Sequence, residues 1–261
     1  MARSVSDLGA HMDRKLGVIG RQAVICEKHG EYSAVILKSS SEPSGCPVCA
    51  SDKREMEEFE RKKWQFAMVQ KGSARIPKRF TEKSFADYRV DRPEQQIALD
   101  ACVDYVDDFP KHKRDGRCML LLGKVGTGKT HLAIAAVNFL IEECSVKAIY
   151  RTVGTVISDI RATFSDRSGS SEAYIMAEII GADLLVLDEV GATKQSEFEL
   201  ATLFSIINGR YEQSRPTIIV SNLSSTELNE AIGVRCVDRI RENGCIGVRF
   251  EWESQRGKEG F

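Results

Sequence analysis

Eight consecutive residues of the chain have the types and the spacing of a phosphate-binding loop. Residues 123–130 read Gly-Lys-Val-Gly-Thr-Gly-Lys-Thr and match the pattern G-x-x-x-x-G-K-[ST] at every fixed position. Glycines let backbone N–H groups approach phosphate oxygens, the lysine can reach the β- and γ-phosphates, and the threonine hydroxyl can ligate Mg²⁺. The predicted nucleotide contacts are Gly123, Lys124, Val125, Gly126, Thr127, Gly128, Lys129, Thr130 and His131. An apolar strand before the loop and a long helix after it favour a nucleoside triphosphate site.

Two carboxylates and an amide end later apolar segments. Asp188 and Glu189 follow four apolar residues in "LLVLDEV", and Asn222 ends "TIIVSN". Ligands of open α/β sheets bind at the carboxyl ends of strands. We therefore expect Asp188 to hold Mg²⁺, Glu189 to act as the general base on a water, and Asn222 to hydrogen-bond that water or a phosphate oxygen. A kinase would shield the γ-phosphate from water, so the acidic pair favours hydrolysis.

Four soft or borderline metal ligands lie near the start of the chain. Cys26 and His29 are separated by two residues, and so are Cys46 and Cys49, with sixteen residues between the two pairs. This spacing is typical of a tetrahedral structural Zn²⁺ site that has no open position for catalysis. The region has few apolar residues, so the metal is expected to supply much of its stability.

Apolar segments alternate with helical segments after about residue 80. The strands read "CMLLLG", "VKAIYRTV", "ADLLVLDEV" and "RPTIIVSN", and helix-forming stretches such as "THLAIAAVNFLIEEC" separate them. This alternation is typical of a parallel sheet covered by helices on both faces. The predicted fold class is therefore α/β, with a small N-terminal zinc-binding module and a linker helix added to it.

Composition limits the kind of protein. The chain has 261 residues, a net charge of −1, 42% hydrophobic residues and 29% charged residues, as expected of a folded protein with one large domain, or with one medium domain plus a small appendage. No apolar run approaches the roughly 20 residues that span a bilayer, and no secretory signal is recognisable. We expect a cytoplasmic protein with no membrane partner. The balanced charge neither requires nor excludes nucleic acid.

Three regions follow from these patterns. Residues 1–71 contain the zinc module and a charged helix, residues 72–92 form a linker with Gly72 and Pro77 as breakers, and residues 93–261 form the nucleotide-binding domain.

From Ile76 to Phe261 the chain resembles the DnaC-type helicase loaders, a branch of the AAA+ ATPases. The resemblance rests on "SFADYRV", "GKVGTGKTHLA", "DLLVLDEVG", "IIVSN", "VRCVDRIRENG" and "FEWESQRGKEGF". The IstB-like transposition helpers are close relatives. The resemblance implies an AAA+ fold and a phage- or bacterial-type loader, and the zinc module departs from the best-known loader pattern.

Further site residues are implied by this resemblance alone. An arginine in the segment of Arg235 and Arg239 reaches the nucleotide of a neighbouring subunit in the family, and Arg239 is favoured for this role with Arg235 as support. Arg256 matches the family's arginine that contacts the nucleotide in cis. Related loaders contact single-stranded DNA at positions that match Phe164, Ser196 and Phe198, although Phe164 also suits a core position of its helix.

The expected function is ATP-dependent loading of a replicative helicase onto single-stranded DNA by a homo-oligomer, an open spiral. ATP with Mg²⁺ would favour the DNA-binding assembly, and hydrolysis to ADP and phosphate would release it. Residues 1–71 would bind the helicase. Three alternatives stay open: an IstB-like transposition helper, a small-molecule P-loop kinase and a nucleotide-gated scaffold with negligible turnover.

Overall fold

The computed structural model describes residues 13, 15–40, 42–164, 171–192 and 196–255 of the chain. The chain divides into two compact units, residues 1–62 and residues 63–261.

The first unit is built on a two-stranded antiparallel sheet. Strand β1 (Val18–Cys26) pairs with strand β2 (Gly30–Leu37), and helix α1 (Pro47–Ser73) begins in this unit. Among the described side chains of residues 15–62, the buried apolar ones are Ala34 and Cys46. So small a core cannot stabilise a hairpin of this size by apolar burial alone.

The second unit contains a five-stranded parallel sheet with the strand order β4-β5-β6-β3-β7. Its strands are β3 (Met119–Gly123), β4 (Ala148–Thr152), β5 (Leu184–Asp188), β6 (Thr217–Ser221) and β7 (Ile246–Phe250). The first four were anticipated from their apolar runs, whereas β7 was not. The α/β class with a parallel sheet between helices is confirmed.

Helices cover both faces of this sheet. They are α2 (Pro93–Asp107), α3 (Phe109–Asp115), α4 (Lys129–Cys144), α5 (Val153–Thr163), α6 (Glu172–Gly181), α7 (Glu197–Glu212), α8 (Ser225–Ile232) and α9 (Val234–Arg241). Alternate strand residues belong to two hydrophobic clusters. Leu121 and Val186 pack in the cluster with α2 and α4, and Leu120 and Leu185 pack in the cluster with α5 to α9.

The end of α1 belongs to the second unit. Ala67 and Ala74 are buried in its core, and Lys63 forms an ion pair of 2.7 Å with Glu143 of α4. The carbonyl of Ala74 accepts a hydrogen bond of 2.9 Å from the backbone N–H of Tyr150 in β4. The units therefore divide after Lys62, earlier than the boundary at residue 71 that we expected.

The segment expected to be a linker, residues 72–92, packs along α4. Asn138 of α4 donates its amide protons to the carbonyls of Thr81 and Lys83, at 3.1 and 2.8 Å. Tyr88 is 9% exposed, and the buried ring contributes to the same core as α4. Polar contacts to backbone carbonyls are not encoded in composition, which is why a Gly- and Pro-containing stretch resembles a free linker.

A buried arginine holds α7 against the sheet. Arg210 is 1% exposed and donates its guanidinium protons to five acceptors. These are the carbonyls of Ile179, Ile180, Ala182 and Pro216 and the hydroxyl of Thr217, at 2.6 to 3.1 Å. Because the buried guanidinium has a full set of hydrogen-bond acceptors, its role is structural: it links α7 to the end of α6 and to the start of β6.

No helix in the described part of the chain combines the length and the apolarity that crossing a bilayer would require.

Candidate functional site

The phosphate-binding loop connects β3 to α4 at the carboxyl edge of the sheet. Gly128 immediately precedes the helix with φ of 97°, a left-handed conformation that glycine adopts without strain. A Cβ atom at this position would lie 2.6 Å from Cε2 of Tyr88. Because α4 begins at Lys129, directly after Gly128, its N-terminal N–H groups and the partial positive charge of its first turn face the loop, as phosphate binding requires.

Lys129 is folded back onto the loop. Its Nζ donates to the carbonyls of Gly123 and Lys124 at 2.7 and 2.5 Å, and its side chain is almost fully buried. Thr127 Oγ1 lies 3.5 Å from the same Nζ atom. Phosphate oxygens can replace these neutral carbonyl acceptors and form charge-assisted contacts with the ammonium group.

Two aromatic side chains donate hydrogen bonds to the backbone of the loop. Trp252 donates its indole N–H to the carbonyl of Thr127 at 3.0 Å, and the Tyr88 hydroxyl donates to the same oxygen at 3.3 Å. The backbone N–H of Gln255 donates to the carbonyl of Gly126 at 2.8 Å. Burial raises the pKa of Tyr88, which keeps its hydroxyl protonated as a donor. Two segments far apart in sequence thus fix the loop.

The carboxylate of Asp188 lies next to the loop and is nearly fully buried. Its Oδ2 atom accepts hydrogen bonds of 2.8 Å from the hydroxyls of Thr130 and Tyr150, and its Oδ1 accepts one of 2.6 Å from the N–H of Glu189. Burial, with the nearby Asp188 charge, raises the pKa of Tyr150. A hydroxyl and a carboxylate in contact offer the hard oxygens that Mg²⁺ prefers, so these residues fit that cation.

Glu189 and Asn222 are both exposed at this edge of the sheet. Glu189 has φ of 59°, a left-handed conformation that costs energy in a residue other than glycine. Asn222 lines a cleft of about 430 Å³ together with Gly123 and Lys124 of the loop. Because β6 pairs with both β5 and β3, the sheet brings the three predicted segments to one edge.

His131 has other contacts than the nucleotide contact that we expected. Its Nε2 lies 2.9 Å from the carbonyl of Ser84, and its ring packs edge-on against Tyr88 at 5.5 Å between centroids. Burial lowers the pKa of His131. In this structure the side chain holds the segment of Ser84 against α4.

The two predicted interface arginines lie on α9. Arg239 is 4.4 Å from the ring centroid of Tyr211 and forms an ion pair of 3.3 Å with Glu242. Arg235 is exposed, with its guanidinium 5.9 Å from the ring centroid of Phe204. The four-residue spacing thus gives the two side chains separate aromatic supports. Arg256 lies outside the described residues.

The predicted DNA-contacting residues form a small aromatic cluster. Phe164 follows α5 and is 65% exposed, so it is not the core residue that its helical position also allowed. Its ring meets that of Phe198 at 6.0 Å, and the Arg161 guanidinium lies 5.8 Å from the Phe198 ring. Ser196 caps α7, because its hydroxyl accepts a hydrogen bond from the N–H of Glu199.

Four predicted metal ligands converge in the first unit. The ligand atoms of Cys26, His29, Cys46 and Cys49 all lie within 4.8 Å of one another. Nδ1 of His29 is 3.8, 3.7 and 3.3 Å from the three sulfur atoms, and the sulfurs of Cys26 and Cys49 are 3.6 Å apart. A tetrahedral Zn²⁺ with bonds of about 2.0–2.3 Å separates its ligands by roughly 3.5–3.8 Å. The four separations given above, 3.3 to 3.8 Å, are close to the edges of such a tetrahedron.

The pKa values of two thiols in this cluster are shifted in opposite directions. Backbone N–H groups of Lys28 and His29 lower the pKa of Cys26 to about 6, whereas the hydrogen bond with Cys26 raises the pKa of Cys49 to about 11. Negatively charged sulfurs within 4.8 Å of one another would repel, and a divalent cation would remove that repulsion.

The remaining ring nitrogen of His29 has a carboxylate partner. Nε2 of His29 lies 3.4 Å from Oδ2 of Asp52, a residue of the first turns of α1. A carboxylate on the nitrogen that does not face the metal is a common support for a ligating histidine. Asp52 has no sequence signal of its own, because it is one of many charged residues in its helix.

Tyr150 was also missed by the sequence analysis. It is a polar-tipped aromatic residue in the otherwise regular strand β4, and its position beside Asp188 depends on the pairing of β4 with β5. That pairing is decided by the sheet order, which no local motif specifies.

Comparisons with known proteins agree with the geometry. The model of the family described as IstB-like ATP binding protein matches residues 54–241. The replicative helicase loader DnaC of Escherichia coli (strain K12) is 35% identical over 178 residues, which cover 67% of this chain and 69% of the relative. The DnaC loader of Buchnera aphidicola subsp. Acyrthosiphon pisum (strain APS) is 30% identical over 185 residues, covering 71% and 74%.

The fold is also similar to a solved structure. A crystal structure of the DnaC helicase loader superimposes with a TM-score of 0.60 at 23% identity, covering 67% of this chain and all of that chain. The family match includes the loop, Asp188 and α9, which are the segments that carry the site. The chain belongs to the IstB-like ATP-binding protein family and is similar in sequence to the DnaC replicative helicase loaders.

Proposed function

We propose that this protein is an ATP-hydrolysing loader that delivers a replicative helicase to single-stranded DNA. The observation that carries the proposal is the contact of the Thr130 hydroxyl with the Asp188 carboxylate beside Lys129, at the end of a buried parallel sheet. The sequence similarity to DnaC loaders supplies the class of partner. The IstB-like transposition helper is less favoured, because these curated relatives are helicase loaders.

ATP binding follows from the loop. The N–H groups of residues 124–128 and of the first turn of α4 surround the β- and γ-phosphates, and Nζ of Lys129 exchanges its carbonyl acceptors for phosphate oxygens. Thr130 and Asp188 would hold Mg²⁺, which supplies charge neutralisation at the phosphates when it is bound.

Hydrolysis is assigned to Glu189 and Asn222. A water oxygen attacks the γ-phosphorus while the bond from that phosphorus to the β–γ bridging oxygen breaks, which leaves ADP and phosphate. The Glu189 carboxylate accepts the water proton, and the Asn222 amide orients the water or a γ-phosphate oxygen. The exposed Glu189 with its positive φ points to a side chain whose position serves the reaction rather than the packing.

Assembly into a homo-oligomer would complete the site. In the proposed open spiral, Arg239 or Arg235 of one subunit approaches the γ-phosphate of the next and stabilises the transition-state charge. Arg239 would first give up its ion pair with Glu242, whereas Arg235 is exposed already. Arg256 is proposed to contact the nucleotide of its own subunit.

Single-stranded DNA is proposed to stack on the cluster of Phe164 and Phe198. The exposed ring of Phe164 offers a face to a base of any identity, and the nearby Arg161 attracts phosphate. Loss of such a ring typically weakens binding by about 1–3 kcal/mol per stacked base. Phe164→Ala is therefore expected to lower the DNA affinity about 5- to 150-fold in a fluorescence anisotropy titration, with Trp64→Ala, another exposed aromatic residue, as the control.

The first unit is proposed to bind one structural Zn²⁺ through Cys26, His29, Cys46 and Cys49. All four positions of a tetrahedron would be occupied by protein, so the ion would fix the hairpin and not catalyse a reaction. This unit, with the charged part of α1, is proposed to bind the helicase.

The decisive experiment mixes the full-length protein with its cognate replicative helicase. ATP should produce a complex on gel filtration that hydrolysis disassembles, and Lys129→Ala should lose ATP binding, phosphate release and the complex while it remains folded. A helicase that never binds in the presence of ATP would exclude loading. Formation of an ATP-dependent complex with a transposase on duplex DNA would identify a transposition helper.

Two further alternatives make separate predictions. A small-molecule kinase would yield a phosphorylated product without stimulation by DNA. A nucleotide-gated scaffold would release its partner normally in Glu189→Gln, whereas a loader with this variant should keep the ATP-bound assembly.

A further inference from the structure

Tyr150 connects the strand at the edge of the sheet to the cation site. It lies on β4 opposite Val186 of β5, and Thr152 lies opposite Asp188, so the phenol and the carboxylate share one face of the sheet. The tyrosine is 5% exposed, and its hydroxyl donates to Oδ2 of Asp188 at 2.8 Å. This contact is additional to the residues assigned to ATP hydrolysis above.

The carboxylate of Asp188 is held from three directions. Oδ2 accepts one hydrogen bond from Thr130 and one from Tyr150, and Oδ1 accepts the N–H of Glu189. A threonine hydroxyl that ligates a cation through its oxygen can still donate its proton to Oδ2. Tyr150 lies on β4, outside the phosphate-binding loop, so its hydrogen bond to Oδ2 comes from a separate segment of the chain.

The backbone of Tyr150 is fixed on both sides. One edge of β4 is paired with β5, and on the other edge the Tyr150 N–H donates to the carbonyl of Ala74, a fully buried residue. A phenol on a backbone held in this way has little freedom to move with the carboxylate. The hydroxyl is therefore held where it can orient the carboxylate.

We propose that Tyr150 is a positioning residue that orients the Asp188 carboxylate toward Thr130 and so sets the affinity of the site for the divalent cation that accompanies ATP. The proposal rests on the ATPase function proposed above. It predicts unchanged nucleotide affinity in the absence of a cation, because the hydrogen bonds of Tyr150 to Asp188 and Ala74 involve neither the loop nor the first turn of α4.

The test compares wild-type protein with Tyr150→Phe, which removes one oxygen and keeps the ring. Binding of Mn²⁺ is measured by the loss of its free electron paramagnetic resonance signal, and binding of a fluorescent ATP analogue is measured with Mg²⁺ and with EDTA. One lost hydrogen bond to a carboxylate predicts a rise of about 5- to 100-fold in the dissociation constant of Mn²⁺ in the ternary complex. Affinity for the analogue in EDTA should be unchanged.

Tyr105→Phe is the matched control. The Tyr105 hydroxyl is buried and donates to the carbonyl of Arg117 at 2.9 Å, far from Asp188 in the fold. Its loss should lower the melting temperature as much as the loss at Tyr150, without any change in Mn²⁺ affinity. If Tyr150→Phe does not fold, Tyr150→Met gives the same comparison.

Three outcomes would overturn the inference, and one would separate it from the proposed function. Equal Mn²⁺ affinity in wild-type protein and Tyr150→Phe, an equal loss of affinity with Mg²⁺ and EDTA, or the same change in Tyr105→Phe would each remove the positioning role. Wild-type protein that binds Mg²⁺ and ATP tightly but releases no phosphate would refute the ATPase function and leave the Tyr150 comparison intact.

Discussion

The two units of the chain are stabilised by different means. The second unit encloses its parallel sheet between two hydrophobic clusters, whereas the described part of the first unit buries little more than Ala34 and Cys46 around a two-stranded hairpin. Apolar burial on the scale of the second unit stabilises a domain without a bound ligand. We propose that the hairpin with its four convergent soft ligands depends on a metal instead. Under this proposal, one chain combines a domain stabilised by its core with a module whose folding is coupled to a metal ion.

Removal of zinc should have the largest effect, and only on the first unit. Structural Zn²⁺ in small modules is bound with an apparent free energy of about 10–16 kcal/mol, so Cys46→Ser or a strong chelator should unfold the hairpin. Hydrogen exchange should show the amides of Val18–Leu37 losing protection, while the melting temperature of the nucleotide-binding unit is unchanged. Cys144→Ser, an exposed cysteine outside the cluster, is the control. Hairpin amides that stay protected without metal would contradict the comparison.

Glu189→Gln should abolish turnover without destabilising the second unit. Loss of a general base lowers the rate by about 10²- to 10⁴-fold, while the loop continues to bind ATP. Phosphate release measures the rate, and fluorescence of an ATP analogue measures the binding. Glu94→Gln, at the exposed first turn of α2, should leave both unchanged. Near-normal turnover in Glu189→Gln would remove its assignment as the base.

A substitution of Arg210 should destabilise the second unit and leave the first unit unaffected, the reverse of zinc removal. Arg210→Met leaves the five acceptors of the guanidinium buried without donors, which should lower the free energy of unfolding by about 3–5 kcal/mol. Urea unfolding provides the measurement, and the zinc content should be unaffected. Arg114→Met, whose side chain is 73% exposed, should change stability by no more than about 0.5 kcal/mol. A similarly small change in Arg210→Met would show that the hydrogen bonds of Arg210 do not stabilise the second unit.

The smallest effect is expected at Asp52. Asp52→Asn removes the carboxylate beside Nε2 of His29 and should weaken zinc binding about 10- to 100-fold. Competition with a chromophoric chelator gives the affinity. Asp13→Asn breaks the ion pair of Asp13 with Arg21 in the same unit and should leave zinc affinity unchanged. Equal affinities in the two variants would show that Asp52 does not support the histidine.

The sequence alone predicted the phosphate loop, the carboxylates at the end of β5 and the four candidate metal ligands. Each of these sites depends on spacing within a short segment, and residues 123–130 or the pair Cys46 and Cys49 carry that spacing wherever the segment is placed. The unbroken apolar strands likewise predicted a sheet buried on both faces. For the same reason the short motifs carry the family resemblance by themselves.

Only the tertiary structure decided which residues from different segments meet. Tyr150 reaches Asp188 because β4 pairs with β5, and His131 contacts Ser84 because residues 72–92 pack along α4. The exposed position of Phe164 and the pairing of β7 beside β3 were settled in the same way. Hydrophobic periodicity specifies that a strand is buried, but the identity of its neighbours depends on the total packing of the sheet and its helices. Long-range contacts of this kind have no local signal, which is the physical reason that they could not be derived from residue types and spacing.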